Sequence, residues 1–345
     1  MPHAADPASP LPEPVEGRDA PLDLGPLARS SRRSLNGDHP GQTGTMLPPL
    51  VDHHVHLMLV GTDALADTAL AGAVDLGAPL DLVTVRRHHD GLPHVAFAGA
   101  FLTARGGYPA GRPWAAEGSV REVDERQGDG RGSLPSPAET AVAEQLAFGA
   151  SVIKVVMNSD AGAVLDRSTL DAIVAAAHQR GLPVVAHVEG EGMTRFAVDA
   201  GADALAHTPF TERVDDDLIA RAVALGQRWI STLFINGYGE PSPDFDRAVD
   251  NLRRFHEAGG RVLYGTDLGN GVQPLGLNPA EIAALGAAGL SARQVINALV
   301  DPWPLHERAE GIVTFVPGPP PATIDGLPEW LASACIVPTE ELEAL

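Results

Sequence analysis

From residue 47 onward the chain alternates short apolar runs with longer segments of helical period, and this alternation limits the folds open to it. The apolar runs cover residues 49–57, 72–76, 94–101, 151–157, 182–187, 202–206, 228–233 and 261–265. Between them, segments such as "STLDAIVAAAHQR" space apolar residues by three and four and end before a glycine, as helices do. Repeated βα units of this kind build a parallel sheet, and eight of them predict a (β/α)8 TIM barrel.

The pattern divides the chain into three parts. Residues 1–45 are rich in Pro, Ala, Gly, Ser and charge without any period, which predicts a disordered leader. Met46 stands directly before the first patterned segment, so a start of translation at Met46 is an alternative hypothesis that intact mass would test. Residues 46–305 form the predicted barrel, and residues 306–345 form a C-terminal extension in which 312–316 and 335–337 resemble short strands. The glycine-rich segment 106–136 exceeds an ordinary connection and is a candidate lid.

Charge and cysteine content narrow the partners and the compartment. The chain has 24 basic and 45 acidic residues, and its formal net charge of −21 repels phosphate, so we expect no nucleic-acid partner. No apolar run approaches the roughly 18 residues of a membrane helix, so we expect no membrane partner. The single cysteine, Cys335, excludes an intramolecular disulfide and suits a reducing cytoplasm.

The first apolar run ends in "VDHHVHL" and carries two histidines on one face. Side chains alternate along a strand, so Asp52, His54 and His56 point one way, while His53 and Val55 point the other way, towards the surrounding helices. The alternation predicts that His54 and His56 act as a pair of metal ligands. Asp52 shares their face one layer deeper, where we expect it to support the site without binding metal.

Other ligand-type residues follow the same rule at the carboxyl ends of apolar runs. They are Lys154 in "SVIKVVM", His187 in "PVVAHVEG", His207 in "ADALAHTPF" and Asp267 in "VLYGTDLGN". Taken singly, each histidine is typical of a hydrogen-bonded core residue, and Asp267 could cap a helix. Taken together, they favour one site, because barrel enzymes build their active sites at this end of the strands. The apolar neighbours of Lys154 also indicate a buried amine, which requires a partner or a change of charge state.

The motifs "VDHHVHL", "IKVV", "AHVEG", "LAHTPF" and "YGTDLG" resemble, in this order, those of the amidohydrolase superfamily of metal-dependent hydrolases over residues 47–300. The stretches "AGAVDLGAP", "AFAGAFLTARGGYP" and "LDAIVAAAHQRGLPVVAH" are similar to its imidazolonepropionase-related branch, which includes Xaa-Pro and Xaa-Arg dipeptidases.

This resemblance implies two divalent metal ions and a catalytic assignment for each ligand residue. His54, His56 and Asp267 would bind the more buried ion, and His187 and His207 would bind the second. Lys154 would bridge both ions as the carbamate that forms with carbon dioxide. Imidazole and carboxylate-type ligands favour zinc, with manganese, iron or cobalt as alternatives. Hydroxide bridging the ions would attack the carbonyl, and Asp267 would act as general base.

The chain also departs from the family pattern at its ends. Members usually carry a small β-sandwich made from both termini, and here we expect it to be absent or reduced to a short C-terminal remnant. Candidate substrate contacts follow the strand ends: Tyr108, Asn158, Glu189, Tyr238 and Asn270.

The expected function is hydrolysis of a carbon–nitrogen bond in a small polar substrate, by an amidohydrolase or a dipeptidase. Lactone or ester hydrolysis is an alternative, because the same site attacks any activated carbonyl. A metal-binding scaffold without catalysis is a third hypothesis, which the measurement of bound metal addresses. The expected partner is a small molecule, and the sequence leaves homo-oligomer formation open.

Overall fold

The computed structural model describes residues 20–35, 39–61, 63–82, 93–124, 135–305 and 308–345. Its strands are β1 (Arg29–Arg33), β2 (Thr43–Leu47), β3 (Leu50–Val55), β4 (Leu70–Asp75), β5 (His94–Phe97), β6 (Phe101–Thr103), β7 (Val120–Glu122), β8 (Ile153–Asn158), β9 (Val184–Glu189), β10 (Ala204–Leu205), β11 (Arg228–Ile230), β12 (Arg261–Leu263), β13 (Ile312–Pro317), β14 (Cys335–Pro338) and β15 (Leu342–Ala344). Each of the eight predicted apolar runs contains a strand, which confirms that part of the prediction.

The described helices lie between the parallel strands and near the C-terminus. They are α1 (Leu57–Val60), α2 (Pro137–Ala147), α3 (Arg167–His178), α4 (Met193–Ala200), α5 (Asp216–Ala224), α6 (Pro243–Glu257), α7 (Pro279–Ala287), α8 (Ala292–Val300) and α9 (Leu327–Ala332). Most begin at capping side chains: Asp166 accepts the Thr169 N–H before α3, and Asp215 accepts the Leu218 N–H before α5. None of the described helices has the length and apolar character needed to cross a membrane.

The molecule is a mixed α/β fold with a seven-stranded parallel sheet, in the order β12-β11-β10-β9-β8-β6-β7. A second parallel sheet contains three strands in the order β3-β4-β5. All six residues of β3 and all six of β8 are buried, as expected for parallel strands that are covered on both faces. On the helical side, the ring of Phe255 on α6 stacks on Trp229 of β11, with centroids 4.0 Å apart.

Hydrogen bonds join both edges of the three-stranded sheet to the seven-stranded sheet. Beside β12, the His53 N–H donates to Tyr264 O at 3.0 Å, and the Leu268 N–H donates to His54 O at 3.3 Å. Beside β8, the Ser151 N–H donates to Phe97 O at 2.8 Å. The first parallel strand therefore lies next to the last.

A five-stranded antiparallel sheet, in the order β14-β13-β2-β1-β15, unites both ends of the chain. Residues 29–33 pair with 342–344 on one side and with β2 on the other. The expected disorder of residues 1–45 is therefore wrong for β1 and for the start of β2, and residues 1–19 and 36–38 lie outside the described part. The N-terminal half of the terminal sheet, expected to be absent, is present, and the strands expected near 312–316 and 335–337 are confirmed.

The reason for this error is the composition of β1. Its sequence "RSSRR" has no apolar residue, so no hydrophobic alternation marks it as a strand. Its pairing depends on backbone hydrogen bonds and on ion pairs with the C-terminus, in which Arg32 contacts Glu343 at 2.9 Å and Arg33 contacts Glu341 at 3.0 Å.

Candidate metal centre

Three ligand-type side chains from β3 and from the segment after β12 converge on one point. The Nε2 atoms of His54 and His56 lie 3.2 Å apart, and Asp267 Oδ1 lies 3.2 Å from each of them. All three residues are buried, and their ligand atoms lie within 4.8 Å of one another. The arrangement brings together the three residues that the sequence assigned to the more buried ion.

The surroundings leave these ligand atoms free to bind a cation. Carbonyl oxygens accept from the outer ring nitrogens, with His54 Nδ1 at 2.8 Å from Ala206 O and His56 Nδ1 at 3.4 Å from Gly77 O. A neutral imidazole that donates through Nδ1 presents a lone pair at Nε2. Burial lowers the pKa of His54, with the charge of Lys154 adding to the effect, so its imidazole is neutral. Asp267 Oδ1 is buried without a hydrogen-bond partner. Converging lone pairs without a proton between them fit a metal ion.

Asp52 links the strand that carries His54 to the segment that carries Asp267. Its carboxylate accepts the His54 N–H at 3.0 Å, the Thr266 N–H at 3.1 Å and the Thr266 hydroxyl at 2.6 Å. Burial raises the pKa of Asp52 to about 7, although these hydrogen bonds oppose the shift. Asp267 follows directly in the left-handed region, with φ of 56°, which turns its side chain back over β3. The supporting position expected for Asp52 is therefore the one that the structure shows.

Lys154 lies below the histidines, with Nζ 3.4 Å from His54 Nε2. Its expected place at the end of a strand is wrong, because it is the second residue of β8 and pairs with Val185, two residues deeper than His187. At this depth the side chain is 1% exposed, and burial lowers its pKa to about 7 against the opposing charges of Asp267 and Asp75. A large fraction of the amine is therefore unprotonated near neutral pH.

His187 and His207 form the other half of the centre. Their rings meet edge to face with centroids 5.0 Å apart, and the His207 ring lies 4.7 Å from that of His54. His207 Nδ1 is 2.9 Å from the hydroxyl of Thr232, and His187 Nε2 is 3.2 Å from Glu189 Oε2. Burial lowers the pKa of His207 well below its usual range, so its imidazole is also neutral and has a lone pair for a metal ion.

A cavity of ≈ 610 Å³ opens above these groups. Three of the five expected substrate contacts, Tyr108, Glu189 and Asn270, line it. Asn158 and Tyr238 do not line the cavity, but each donates a hydrogen bond to a residue that does. Asn158 Nδ2 donates to Glu189, and the Tyr238 hydroxyl donates to Asn270 Oδ1 at 3.0 Å.

Several residues of the centre were not predicted from the sequence. Thr232 orients His207 through its hydroxyl. Its sequence position could have predicted this role, because it follows β11 and other residues of the site also follow apolar strands. Phe101, Trp114 and Phe210 form apolar walls of the cavity, and nothing in their local sequence indicates that position. The described half of the candidate lid, residues 106–124, supplies Tyr108 and Trp114 to the cavity, and residues 125–134 lie outside the described part.

No protein-family model matches the chain. In sequence, it is 29% identical over 289 residues to uncharacterized proteins of Mycobacterium bovis and Mycobacterium tuberculosis, with 74% of this chain and 72% of theirs aligned.

Solved structures resemble the chain over most of its length. A Xaa-Pro dipeptidase is 18% identical with a TM-score of 0.64 over 87% of each chain, and an amidohydrolase is 20% identical with a TM-score of 0.65 over 90% of each chain. The fold is that of the amidohydrolases. A putative prolidase from Bifidobacterium longum is also 20% identical, with a TM-score of 0.64 over 86% of this chain and 80% of that one. These neighbours share the fold of this chain, and their names agree with the resemblance to amidohydrolases and Xaa-Pro dipeptidases that the sequence motifs carry.

Proposed function

We propose that the chain is a metal-dependent hydrolase that cleaves the carbon–nitrogen bond of a small polar amide, cyclic amide or dipeptide-like substrate. The observation that carries this proposal is the convergence of buried ligand atoms from His54, His56 and Asp267 beneath an open cavity. The structural neighbours with this amidohydrolase fold are hydrolases, which supports the same class of reaction.

In this proposal eight of the ten parallel strands, β3–β5 and β8–β12, form one closed (β/α)8 barrel. The hydrogen bonds that join β3 to the segment after β12, and Phe97 to Ser151, support closure at both edges. Active sites of such barrels lie at the carboxyl ends of the strands, where this cavity opens.

Six side chains would hold two divalent ions. His54, His56 and Asp267 would bind one ion, and His187 and His207 would bind the other, with zinc as the expected metal and manganese, iron or cobalt as alternatives. When bound, such ions acidify water and act as Lewis acids towards a carbonyl oxygen.

Lys154 would supply the shared ligand. Its unprotonated amine, available because burial lowers the pKa to about 7, adds to the carbon of carbon dioxide. The new nitrogen–carbon bond forms as one amine proton leaves, and the product is an anionic carbamate. This anion offsets the charge of two dications in a buried site.

Asp267 would transfer the proton. Burial opposes ionisation, but the Asn270 side-chain amide donates a hydrogen bond to Oδ2 at 2.9 Å and so favours the carboxylate. Since Oδ1 would bind the ion, Oδ2 would accept a proton from the attacking water and return it to the leaving nitrogen.

Metal content and turnover of the same preparation test the proposal. Natively purified protein should contain two equivalents of transition metal by mass spectrometry, and it should hydrolyse members of an amide and dipeptide panel faster than lactones. Asp267→Asn should lower kcat/KM by about 10²- to 10⁴-fold while circular dichroism stays unchanged, because a general base contributes that much. The matched control is Asp246→Asn, an exposed carboxylate on α6, which should keep the wild-type rate.

Three outcomes would contradict the proposal in different ways. Protein without transition metal would remove the basis of the whole site. Faster turnover of lactones would favour the esterase alternative, and full metal occupancy without turnover of any substrate would favour a binding scaffold.

A further inference from the structure

One wall of the cavity is aromatic from the metal ligands to its mouth. The Phe101 ring lies 5.5 Å from that of His56 and 6.1 Å from that of Trp114, measured between centroids. Tyr108 stacks on His187 at 5.6 Å and meets Trp114 edge-on at 5.9 Å. Trp114 is 37% exposed and so lies at the entrance. A flat apolar group of a substrate can contact this wall while its carbonyl lies over the ligands.

The charged groups outside the metal ligand set are acidic. Within the described lining, the only amine is that of Lys154, which belongs to the ligand cluster, and no arginine is present. The remaining charged side chains, apart from the ligand Asp267, are Glu189 and Asp244. Glu189 Oε2 lies 3.2 Å from Nε2 of His187, whose ring stacks on Tyr108, so the charge of this carboxylate lies beside the aromatic wall. A carboxylate on the substrate would meet repulsion along this wall.

Arginines lie near the cavity but do not line it: Arg247 is paired with Asp244 at 2.7 Å, and three others line a different cleft. Arg105, Arg112 and Arg121 line a neighbouring cleft of ≈ 670 Å³. The guanidinium carbon of Arg112 lies 5.4 Å from the centre of the Tyr108 ring, yet Arg112 does not line the catalytic cavity. The net charge of −21 further disfavours the approach of anions.

We infer that this site selects an uncharged amide that carries an aromatic group and has no free carboxylate on that group. The inference rests on the proposed hydrolase function and adds a substrate class to it. It separates this chain from enzymes that require the C-terminal carboxylate of a dipeptide, because such a carboxylate needs a cation that the described lining lacks.

A matched pair of substrates tests the inference with metal-loaded wild-type protein. Acetanilide and 4-acetamidobenzoate differ by one carboxylate placed across the ring from the scissile bond, so that the charge faces the wall and not the ions. Hydrolysis releases acetate and the aromatic amine, which chromatography quantifies. We expect kcat/KM for acetanilide to exceed that for 4-acetamidobenzoate at least tenfold. An equal or higher value for the carboxylate would overturn the inference.

The failure of this inference is distinguishable from the failure of the proposed function. If neither anilide is hydrolysed, calorimetry with two unreactive isosteres decides the question, because a methylene replaces the amide nitrogen in phenylacetone and in 4-(2-oxopropyl)benzoate. At least tenfold tighter binding of phenylacetone would support the substrate class without hydrolysis. Equal or weaker binding of phenylacetone would refute it.

A charge introduced into the lining should change the preference. Ile235 lines the cavity, and Ile235→Lys should lower the ratio of the two kcat/KM values, or of the two dissociation constants, at least tenfold. Ile235→Met, which changes shape without charge, is the matched control and should keep the wild-type ratio. A ratio that stays constant in Ile235→Lys would show that charge in the lining does not select the substrate.

Discussion

Asp52 connects the first and last parallel strands through hydrogen bonds to His54 and Thr266. On the opposite face of the same strand, His53 Nδ1 lies 2.7 Å from Tyr264 O and Nε2 lies 2.9 Å from Asp301 O. Strand alternation therefore separates a ligand face from a packing face within four consecutive residues, as the sequence predicted. Each side chain has its own contacts, and the local run of histidines is not a single cluster.

At the residue scale, Lys154 gives the sharpest test of the bridging ligand. Lys154→Ala should lose the second metal equivalent and lower kcat/KM by about 10³-fold or more, because a shared ligand contributes several kcal/mol. Formate or acetate should restore part of the activity by placing a carboxylate where the carbamate would lie. Metal analysis and titration with these acids measure both effects.

The control for this variant is on the same strand. Val156 lies two residues beyond Lys154 and lines the cavity without offering a ligand atom, so Val156→Ala should retain two metal equivalents. Full metal content and activity in Lys154→Ala would refute the bridging role.

At the element scale, the segment after β11 depends on a carboxyl group from α7. Glu281 is fully buried and accepts the Phe234 N–H at 2.7 Å. The same segment presents Thr232 to His207 and Asn236 to the cavity. Packing of α7 therefore helps to position His207, a proposed metal ligand, through the segment after β11.

Glu281 should also give the stability a defined pH dependence. Burial raises its pKa from 4.5 to about 7, so between these values the folded state binds more protons than the unfolded state. The free energy of unfolding must then fall as pH rises through this window. Glu281→Gln removes the titration, so its stability relative to wild type should increase by about 3 kcal/mol between pH 4.5 and 8. Urea unfolding across this range measures the difference.

An exposed carboxyl on a neighbouring helix provides the comparison. The side chain of Glu257 on α6 is 57% exposed, and Glu257→Gln should reproduce the wild-type pH profile. A profile for Glu281→Gln that also parallels wild type would show that the carboxyl is not buried in its neutral form.

Some strands and site residues could be predicted from local sequence, and others could not. Eight of the ten parallel strands were predictable because a strand covered on both faces must be apolar, and the ligands stood out as polar residues in those runs. The other two, β6 and β7, have three residues each and give too short a pattern. β1 was not predictable, because its side chains are polar and its ion-pair partners lie 308 and 311 positions away. The aromatic wall was missed for a similar reason, since Trp114 lies in a loop whose position depends on tertiary contacts.

At the scale of the whole molecule, the terminal sheet makes both ends of the chain part of one structure. A chain that begins at Met46 lacks β1 and most of β2, so β13 loses one neighbour and β15 loses its pairing. We expect its melting temperature, measured by calorimetry, to fall by at least about 5 °C, which corresponds to about 3 kcal/mol in a chain of this size.

A second truncation isolates the effect of the sheet. A chain that begins at residue 20 keeps every described residue and should melt at the wild-type temperature. Equal melting temperatures for the two truncated chains would show that β1 adds no stability.

The bonds between Asp52 and Thr266 join residues 214 positions apart, and this distance bears on biosynthesis. A growing polypeptide holds His54 and His56 early, but it gains Asp267 only after most of the chain has left the ribosome. A fragment that stops before that residue lacks one ligand of the ion proposed at His54 and His56. In this arrangement that ion would bind tightly only after the last parallel strand has been made, and shorter fragments would compete poorly for scarce transition metal.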